Sequence, residues 1–273
     1  MADVKLSVIF STYNSPDWLE KVLWGFYYQT FKNFELIVAD DGSTDETRQR
    51  IENFTAESGM PITHIWQEDE GFQKTKILNK AVVASNNEYL VFTDGDCIPR
   101  KDFLAVHHQH IEPGCFLSGG YLKLPMQTSL AIEREHIESG QAFDRDWLIR
   151  HGMKRSHKLK KLTTNKLKQQ LLNALAPTKA RWYGHNASAW RKDLIAVNGF
   201  DERMQYGGED LEFGYRLANS GIKGKQIRYS AVCVHLDHAR GYVEPEMIAK
   251  NDAIQAHSIA QKIVKTPYGI CKE

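Results

Sequence analysis

Three carboxylate-bearing turns are the places where this sequence could do chemistry: Asp40-Asp41-Gly42-Ser43, Asp94-Gly95-Asp96 and Gly207-Gly208-Glu209-Asp210. In the last, two glycines lead into adjacent acids that open a helix, where negative charge suits the backbone dipole. The glycine pair lets a second molecule come close to the main chain. A carboxylate at such a lip suits a general base that takes a proton from an alcohol; otherwise the acids simply cap a helix. Asp94-Gly95-Asp96 follows an apolar run and offers oxygens to a hard cation, Mg²⁺ or Mn²⁺, that would hold a diphosphate. As an ordinary Asx turn it would only close a strand. His235 and His238, spaced H-x-x-H, are the candidates for a further metal ligand. Asp40 and Asp41 can accept hydrogen bonds from a base or ribose, or cap the next helix, and Tyr13 can stack on a base. Lys74 and Lys76 open a helix from which a lysine can reach a diphosphate, and Lys76 is the one expected to bind it. Trp182, Tyr183 and Trp190 are either platforms for sugar rings or core.

The elements that must position these groups alternate in type. Leu6 to Phe10, Phe34 to Ala39, Ile62 to Trp66 and Tyr89 to Thr93 read as strands. Ser15-Pro16 starts a helix whose inner face is Leu19, Val22, Leu23 and Phe26. Ser43 and Glu46 have capping-box spacing ahead of a helix with Ile51 and Phe54 inward. Lys74 to Ala84 is a third helix, with Ile77, Leu78, Ala81 and Val82 inward. Such alternation predicts a parallel sheet with helices on both faces, and ligands at the carboxyl ends of its strands. Those ends carry Ser11-Thr12-Tyr13, Asp40-Asp41 and Asp94-Gly95-Asp96. Later, Phe116 to Tyr121 predicts a strand with a tight bend, Gly184 to Trp190 another strand, Lys192 to Val197 a short helix, and Ala231 to His235 a last strand. In the helix opened by Glu209, Leu211, Tyr215 and Ala218 give the expected inner face, and Gly221 the stop.

The 273 residues, 42% hydrophobic and 25% charged, are ordinary for a globular enzyme and exclude a disordered or fibrous class. No run approaches the roughly 20 apolar residues that cross a bilayer. Met1-Ala2-Asp3-Val4-Lys5 leads into the first strand without the apolar stretch of a signal peptide, so the expectation is a cytoplasmic protein. Cys97, Cys115, Cys233 and Cys271 have no paired spacing and suggest neither a disulfide framework nor a zinc site. Net charge is +1, yet Arg150 to Arg181 holds ten Lys or Arg and no acid, leaving −9 for the remainder. Within it Leu167, Leu171 and Leu175 fall at helical spacing, which fits peripheral contact with an anionic membrane or an anionic acceptor, or else a solvated helix.

These motifs together resemble family 2 glycosyltransferases. The match runs through Val8-Ile9-Phe10-Ser11-Thr12-Tyr13-Asn14, Gln29-Thr30-Phe31, Phe34-Glu35-Leu36, Asp40-Asp41-Gly42-Ser43 and Thr93-Asp94-Gly95-Asp96. Gly199-Phe200-Asp201-Glu202 followed by Gly207-Gly208-Glu209-Asp210 resembles the galactosyltransferase-type module of bacterial chondroitin polymerases. Gly71-Phe72-Gln73 with Asn79, and Gly184-His185-Asn186-Ala187, are similar to the same type. The resemblance implies a single α/β domain of GT-A fold, with a mostly parallel central sheet and helices on both faces. Its expected parts are a nucleotide-binding half (1–125), a basic helical insertion (126–182), an acceptor and catalytic half (183–240) and a helical tail (241–273). It further implies an inverting, metal-dependent transfer of a sugar from a nucleotide sugar, UDP-linked, to a hydroxyl of a glycan or lipid-linked glycan, as in bacterial surface polysaccharide synthesis.

Residue by residue, Asp41 would bind uracil with Tyr13 and Ser11 beside it, and Asp40 and Lys76 would complete the donor site. Asp96 would hold Mn²⁺ or Mg²⁺ with His235, the strand-end histidine, and Asp94 would lie against ribose or metal. Asp210 would be the base, Glu209 would hold sugar or acceptor, and Asn186 would stand near the donor sugar. Tyr206 stands where Trp is common in the family, which leaves acceptor preference open. Two other classes compete. A nucleotidyltransferase would want a Gly-rich phosphate loop in place of Ser11 to Pro16, and a non-catalytic glycan binder would leave Asp94, Asp96 and Asp210 without a role. No feature points to nucleic acid as a partner.

Overall fold

A computed structural model describes residues 4–239 and 243–272. Met1 to Asp3 of the expected N-terminal run, and 241, 242 and 273 of the expected tail, lie outside the described residues. The strands are β1 (Leu6–Thr12), β2 (Phe34–Asp40), β3 (Ile62–Trp66), β4 (Tyr89–Asp94), β5 (Cys97–Pro99), β6 (Cys115–Ser118), β7 (Gly120–Lys123), β8 (Ala187–Trp190), β9 (Lys223–Gln226) and β10 (Val232–His235). Seven of them form one sheet in the order β3-β2-β1-β4-β8-β6-β9. The first four run parallel, while β8 is antiparallel to both its neighbours. A second sheet, β5-β10-β7, has three strands, with β10 antiparallel to β5 and parallel to β7.

The apolar runs form strands because both faces are covered. Val8 and Phe10 of β1 pack with Leu19, Val22, Leu23 and Phe26 of the helix Pro16–Tyr27 and with Ile51 and Phe54 of the helix Asp45–Ser58. Ile9, Ile37 and Ala39 face the other way, onto Ile77, Leu78, Ala81 and Val82 of the helix Lys74–Ala84. A strand buried on both sides loses the alternation of a half-exposed one and reads as a continuous apolar run. Phe10 and Phe26 stack at 5.7 Å, and truncating either would cost roughly 3–5 kcal/mol.

The structure differs from the sequence reading in several elements. The bend expected in Phe116 to Tyr121 is a break at Gly119, which sends β6 and β7 into different sheets. Ser43 makes no capping box: Thr44 is the N-cap, without a side-chain cap bond, and Ser43 Oγ instead accepts from the Asn14 N–H at 2.8 Å. The helix Glu209–Asn219 is turned from its expected face. Phe213 and Leu217 are buried, Leu211 and Tyr215 are half-buried and Ala218 is exposed. Its inner side also carries a fully buried ion pair, Arg216 Nε donating to the two Glu212 oxygens at 2.8 and 2.9 Å. Ser258 Oγ donates to Glu212 Oε1 at 2.7 Å, so the helix Pro245–Ala260 clasps this one.

Residues 126–182 hold short helices and 3-10 turns and no strand. Ile132, Ile137, Trp147, Leu148, Leu159 and Leu162 are buried in the same core as Val8 and Phe10, so the basic segment is packed onto the sheet domain. Among the described residues no helix is long and apolar enough to cross a membrane.

Candidate active site

The chain runs outward from β1 through β2 to β3, then returns to place β4 on the other side of β1. A parallel sheet opens a crevice at the carboxyl ends of its strands where the order reverses. Register sets Ser11 beside Asp94 and Thr12 beside Asp40 at that reversal. A cleft of about 540 Å³ lies there, lined by Ser11, Tyr13, Trp18, Asp41, Phe72, Lys74, Asp94, Asp96, Tyr206, Glu209, His235 and His238.

Asp41 is held by two donors, Gln67 Nε2 to Oδ1 at 2.7 Å and the Gln73 N–H to Oδ2 at 2.8 Å. Burial, with Asp69 and Asp40 nearby, pushes its carboxyl up to about 6 despite these bonds. Tyr13, half exposed at the rim, donates its hydroxyl to Asp69 Oδ2 at 2.8 Å.

Asp40 does not line the cleft. It is 1% exposed, Oδ1 accepts the Ser43 N–H at 2.9 Å, and Oδ2 lies 2.9 Å from His64 Nε2. It closes the turn after β2, which corrects its expected place in the donor site.

Lys76 is likewise displaced: it pairs with Glu70 at 2.8 Å on the surface, whereas Lys74 points into the cleft. Two residues along a helix is about 200° around its axis, so the two lysines cannot serve one site. Lys74 Nζ donates to Asp94 Oδ1 at 2.8 Å, and Ser11 Oγ donates to the same oxygen at 3.2 Å. Burial works against both charges of the pair. The carboxylates of Asp94, Asp210 and Glu209 nevertheless raise Lys74 well above its ordinary value, and Lys74 holds Asp94 down at about 2.

Asp96 continues the chain from β4 and faces two imidazoles, His238 Nε2 at 3.0 Å and His235 Nε2 at 3.6 Å. Each ring has Nδ1 against a main-chain carbonyl, Leu236 O at 2.7 Å for His235 and Ala239 O at 2.8 Å for His238. That contact makes Nδ1 the donor and turns Nε2 toward Asp96, the orientation that supports a metal-bound histidine. Cys97 Sγ also lies within reach, but burial keeps its thiol protonated. The Asp96 carboxylate and the His235 imidazole, with the thiol silent, fit a divalent cation such as Mn²⁺ that accepts both oxygen and nitrogen ligands.

Gly207 and Gly208 have φ of 102° and 83°, left-handed values that a side chain resists. Asn251 Nδ2 donates to Gly207 O at 2.8 Å and Gln255 Nε2 to Gly208 O at 3.2 Å, so the last helix holds the turn. Glu209 is 8% exposed; burial and the neighbouring Asp210 push it up to about 7. Asp210 Oδ2 accepts the Gly184 N–H at 2.8 Å, while Oδ1 is buried without a hydrogen-bond partner. Burial raises this carboxyl too, against the pull of Lys74. A Cβ on Gly184 would lie 2.8 Å from Asp210 Oδ1, which explains the glycine.

Asn186 is fully buried and does not face the cleft. Its Nδ2 donates to Gly120 O at 2.8 Å and Ala231 O at 3.1 Å, and its Oδ1 accepts from His107 Nε2 at 3.0 Å. It ties the two sheets together, which corrects its expected place near the donor sugar. Of the aromatic platforms, Trp182 is core, packed on Phe92, Phe116 and Phe213. Sequence reasoning gave no role to Trp18 and Phe72, which line the cleft, or to His185. Burial lowers His185 to about 4, its ring lies 4.3 Å from Tyr121, and its charge couples to Asp94, Asp96 and His235. The phrase Gly184-His185-Asn186 held the signal, but Asn186 took the role.

The fold and this cleft define a GT-A glycosyltransferase architecture. Residues 7–175 match glycosyl transferase family 2, and residues 178–239 match the N-terminal domain of galactosyltransferase. The chain belongs to glycosyl transferase family 2. It is 30% identical over 245 residues to a chondroitin synthase of Escherichia coli, covering 81% of this chain and 33% of that protein. It is 27% identical over 266 residues to the uncharacterized glycosyltransferase YfnE of Bacillus subtilis, covering 86% of this chain and 65% of that one. The chain thus spans less than two thirds of each relative. In fold it is similar to S. aureus TarS 1–349 in complex with UDP-GlcNAc, at TM-score 0.63 and 19% identity over 95% of this chain and 70% of that one. It is also similar to the mannosyltransferase PcManGT from Pyrobaculum calidifontis in complex with GDP-Man and Mn²⁺, at TM-score 0.61 and 22% identity over 89% and 59%.

Proposed function

We propose that the protein transfers a sugar from a nucleotide diphosphate sugar to a hydroxyl of a glycan acceptor, with inversion at the anomeric carbon. The observation that carries this reading is one cleft at the strand ends that gathers Asp41, Asp94, Asp96, His235 and Glu209. Asp210 does not itself line the cleft; it adjoins Glu209, which does, and its charge interacts with those of Lys74 and Asp94.

Asp41 and Tyr13 receive the base, and Ser11, Asp94 and Lys74 lie where ribose and diphosphate follow. A divalent cation held by Asp96 and His235, with His238 beside Asp96, would neutralise charge that grows on the departing diphosphate. Asp210 takes the acceptor proton as the acceptor oxygen bonds to the anomeric carbon. The bond to the diphosphate oxygen breaks, and that oxygen leaves with the electron pair. Its unpartnered Oδ1 and raised basicity suit it for this, and the Gly184 N–H keeps the carboxyl oriented. Attack opposite the leaving group inverts the centre without a covalent enzyme intermediate. Glu209, raised to about 7, exchanges a proton near neutral pH, and its protonated form can donate a hydrogen bond to a sugar hydroxyl.

The chondroitin synthase relative and the UDP-GlcNAc complex of a fold neighbour support a UDP-sugar donor and a role in bacterial surface glycan synthesis. Asp210→Asn keeps an acceptor oxygen for Gly184 but removes the base, so transfer should fall about 10²–10⁴-fold. Nucleoside diphosphate affinity should stay within about threefold, a binding change under roughly 1 kcal/mol. Transfer at the original rate in that variant would overturn the assignment.

A further inference from the structure

The helix Lys166–Ala174 is inside out. Leu167, Leu171 and Leu175, four residues apart on one stripe, are 78%, 58% and 69% exposed. Its inner side is polar: Gln169 Nε2 donates to Thr163 O at 2.7 Å, Asn173 Nδ2 to Ser230 Oγ at 2.9 Å, and Asn173 Oδ1 accepts the Tyr229 N–H at 2.9 Å. A helix that only covers a flank does the reverse, burying its leucines and leaving amides in water. Polar tethers thus hold an apolar ridge outward.

The segment that carries the ridge has charge of one sign. Nine of the ten Lys and Arg between Arg150 and Arg181 are exposed, among them Lys154, Lys158, Lys160, Lys166 and Lys168. The segment has no acid of its own, and among the described residues none of its cations forms an ion pair. We infer that this face docks on an anionic lipid bilayer, the leucines entering the headgroup boundary and the lysines meeting lipid phosphates. An apolar ridge flanked by basic residues is the form of an interfacial helix, whose binding grows with buried apolar area and with attraction to anionic lipids. A symmetric second copy would bring the same positive face against it, so the charge selects a negative surface over self-association.

The inference is independent of sugar transfer and is read without activity. The whole chain is sedimented with vesicles of phosphatidylcholine alone and with vesicles containing about one third phosphatidylglycerol, at about 25 mM and 500 mM NaCl. Expected is binding to the anionic vesicles at low salt, at least tenfold weaker at high salt or without phosphatidylglycerol. Leu167→Ser/Leu171→Ser/Leu175→Ser should lose at least tenfold with an unchanged melting temperature, since these side chains have no partner to lose. Leu130→Ser, an exposed leucine elsewhere, should bind as the original chain does. Absence of low-salt binding overturns the inference. So does binding untouched by the triple substitution, or a dimer in solution that the triple substitution dissolves.

Discussion

Replacing Lys74 by Met tests whether one cation holds the acidic cleft together. Lys74 is the cation bonded to Asp94, and its charge also bears on Asp210 and Glu209; methionine keeps much of its volume. Asp94 is held at about 2 against an ordinary 3.8. That depression is worth on the order of 2–3 kcal/mol of folding stability. Breaking a buried pair typically costs 3–5 kcal/mol, so the two figures agree in scale. For a chain of this size a loss on the order of 2–3 kcal/mol lowers the melting temperature by roughly 4–12 °C. The sign in pH follows from the depressed carboxyl. Its contribution is complete above the ordinary value of 3.8 and is lost as pH falls toward 2. Scanning calorimetry of both proteins should show the full gap at pH 7, narrowing below about pH 4. Lys76→Met is the control, because its pair with Glu70 is exposed and screened by solvent, so melting should stay nearly unchanged. Equal melting of the Lys74→Met and original chains at pH 7 would refute the role given to Lys74.

The remaining expectations concern the metal, the base pocket and a buried histidine. Asp96→Asn and His235→Ala should each weaken Mn²⁺ binding by about 10–100-fold or more, read by titration calorimetry without any sugar; unchanged affinity would remove that donor set. Asp41→Asn should weaken nucleoside diphosphate binding about tenfold, roughly the worth of one hydrogen bond to a charged group. Asp40→Asn should instead lower thermal stability and leave binding alone, and the opposite pattern would reverse the two assignments. His107 is fully buried, with Nε2 donating to Asn186 Oδ1 and Nδ1 at 2.8 Å from Ser188 Oγ, and burial lowers it to about 4. A lowered histidine stabilises above its ordinary 6.5, and that share drains as pH falls from 6.5 toward 4, on the order of 3 kcal/mol in all. Urea melts of His107→Gln should therefore be flatter across this window than those of the original chain, and identical slopes would count against it.

Chemical type was legible in the sequence; facing was not. The runs that became β1 to β4 stood out because both their faces are covered, leaving no polar residue to interrupt them. β9, Lys223-Gly224-Lys225-Gln226, has no such run, and its place rests on Gly224 fitting against Phe116 and Ala180. β5 is three residues ending in proline, short enough to pass as a turn. Within the site, acids at strand ends announced the cleft, yet Asp40 and Asp41 are neighbours that the backbone aims apart. Lys74 and Lys76 differ by half a turn of helix. Asn186 resembled a ligand-binding amide because nothing local reveals that Gly120, Ala231 and His107 meet it from distant parts of the chain.

The small sheet has a consequence for how a cation would be captured. His235 of β10 pairs with Cys97 of β5, the residue after Asp96, and the Leu236 N–H donates to Asp96 O at 2.9 Å. Carboxylate and imidazole are therefore fastened to one rigid clamp by main-chain bonds rather than presented on separate loops. Loading such a clamp asks for little chain ordering, so its speed should follow the exchange of water from the ion, and its heat capacity change should be small.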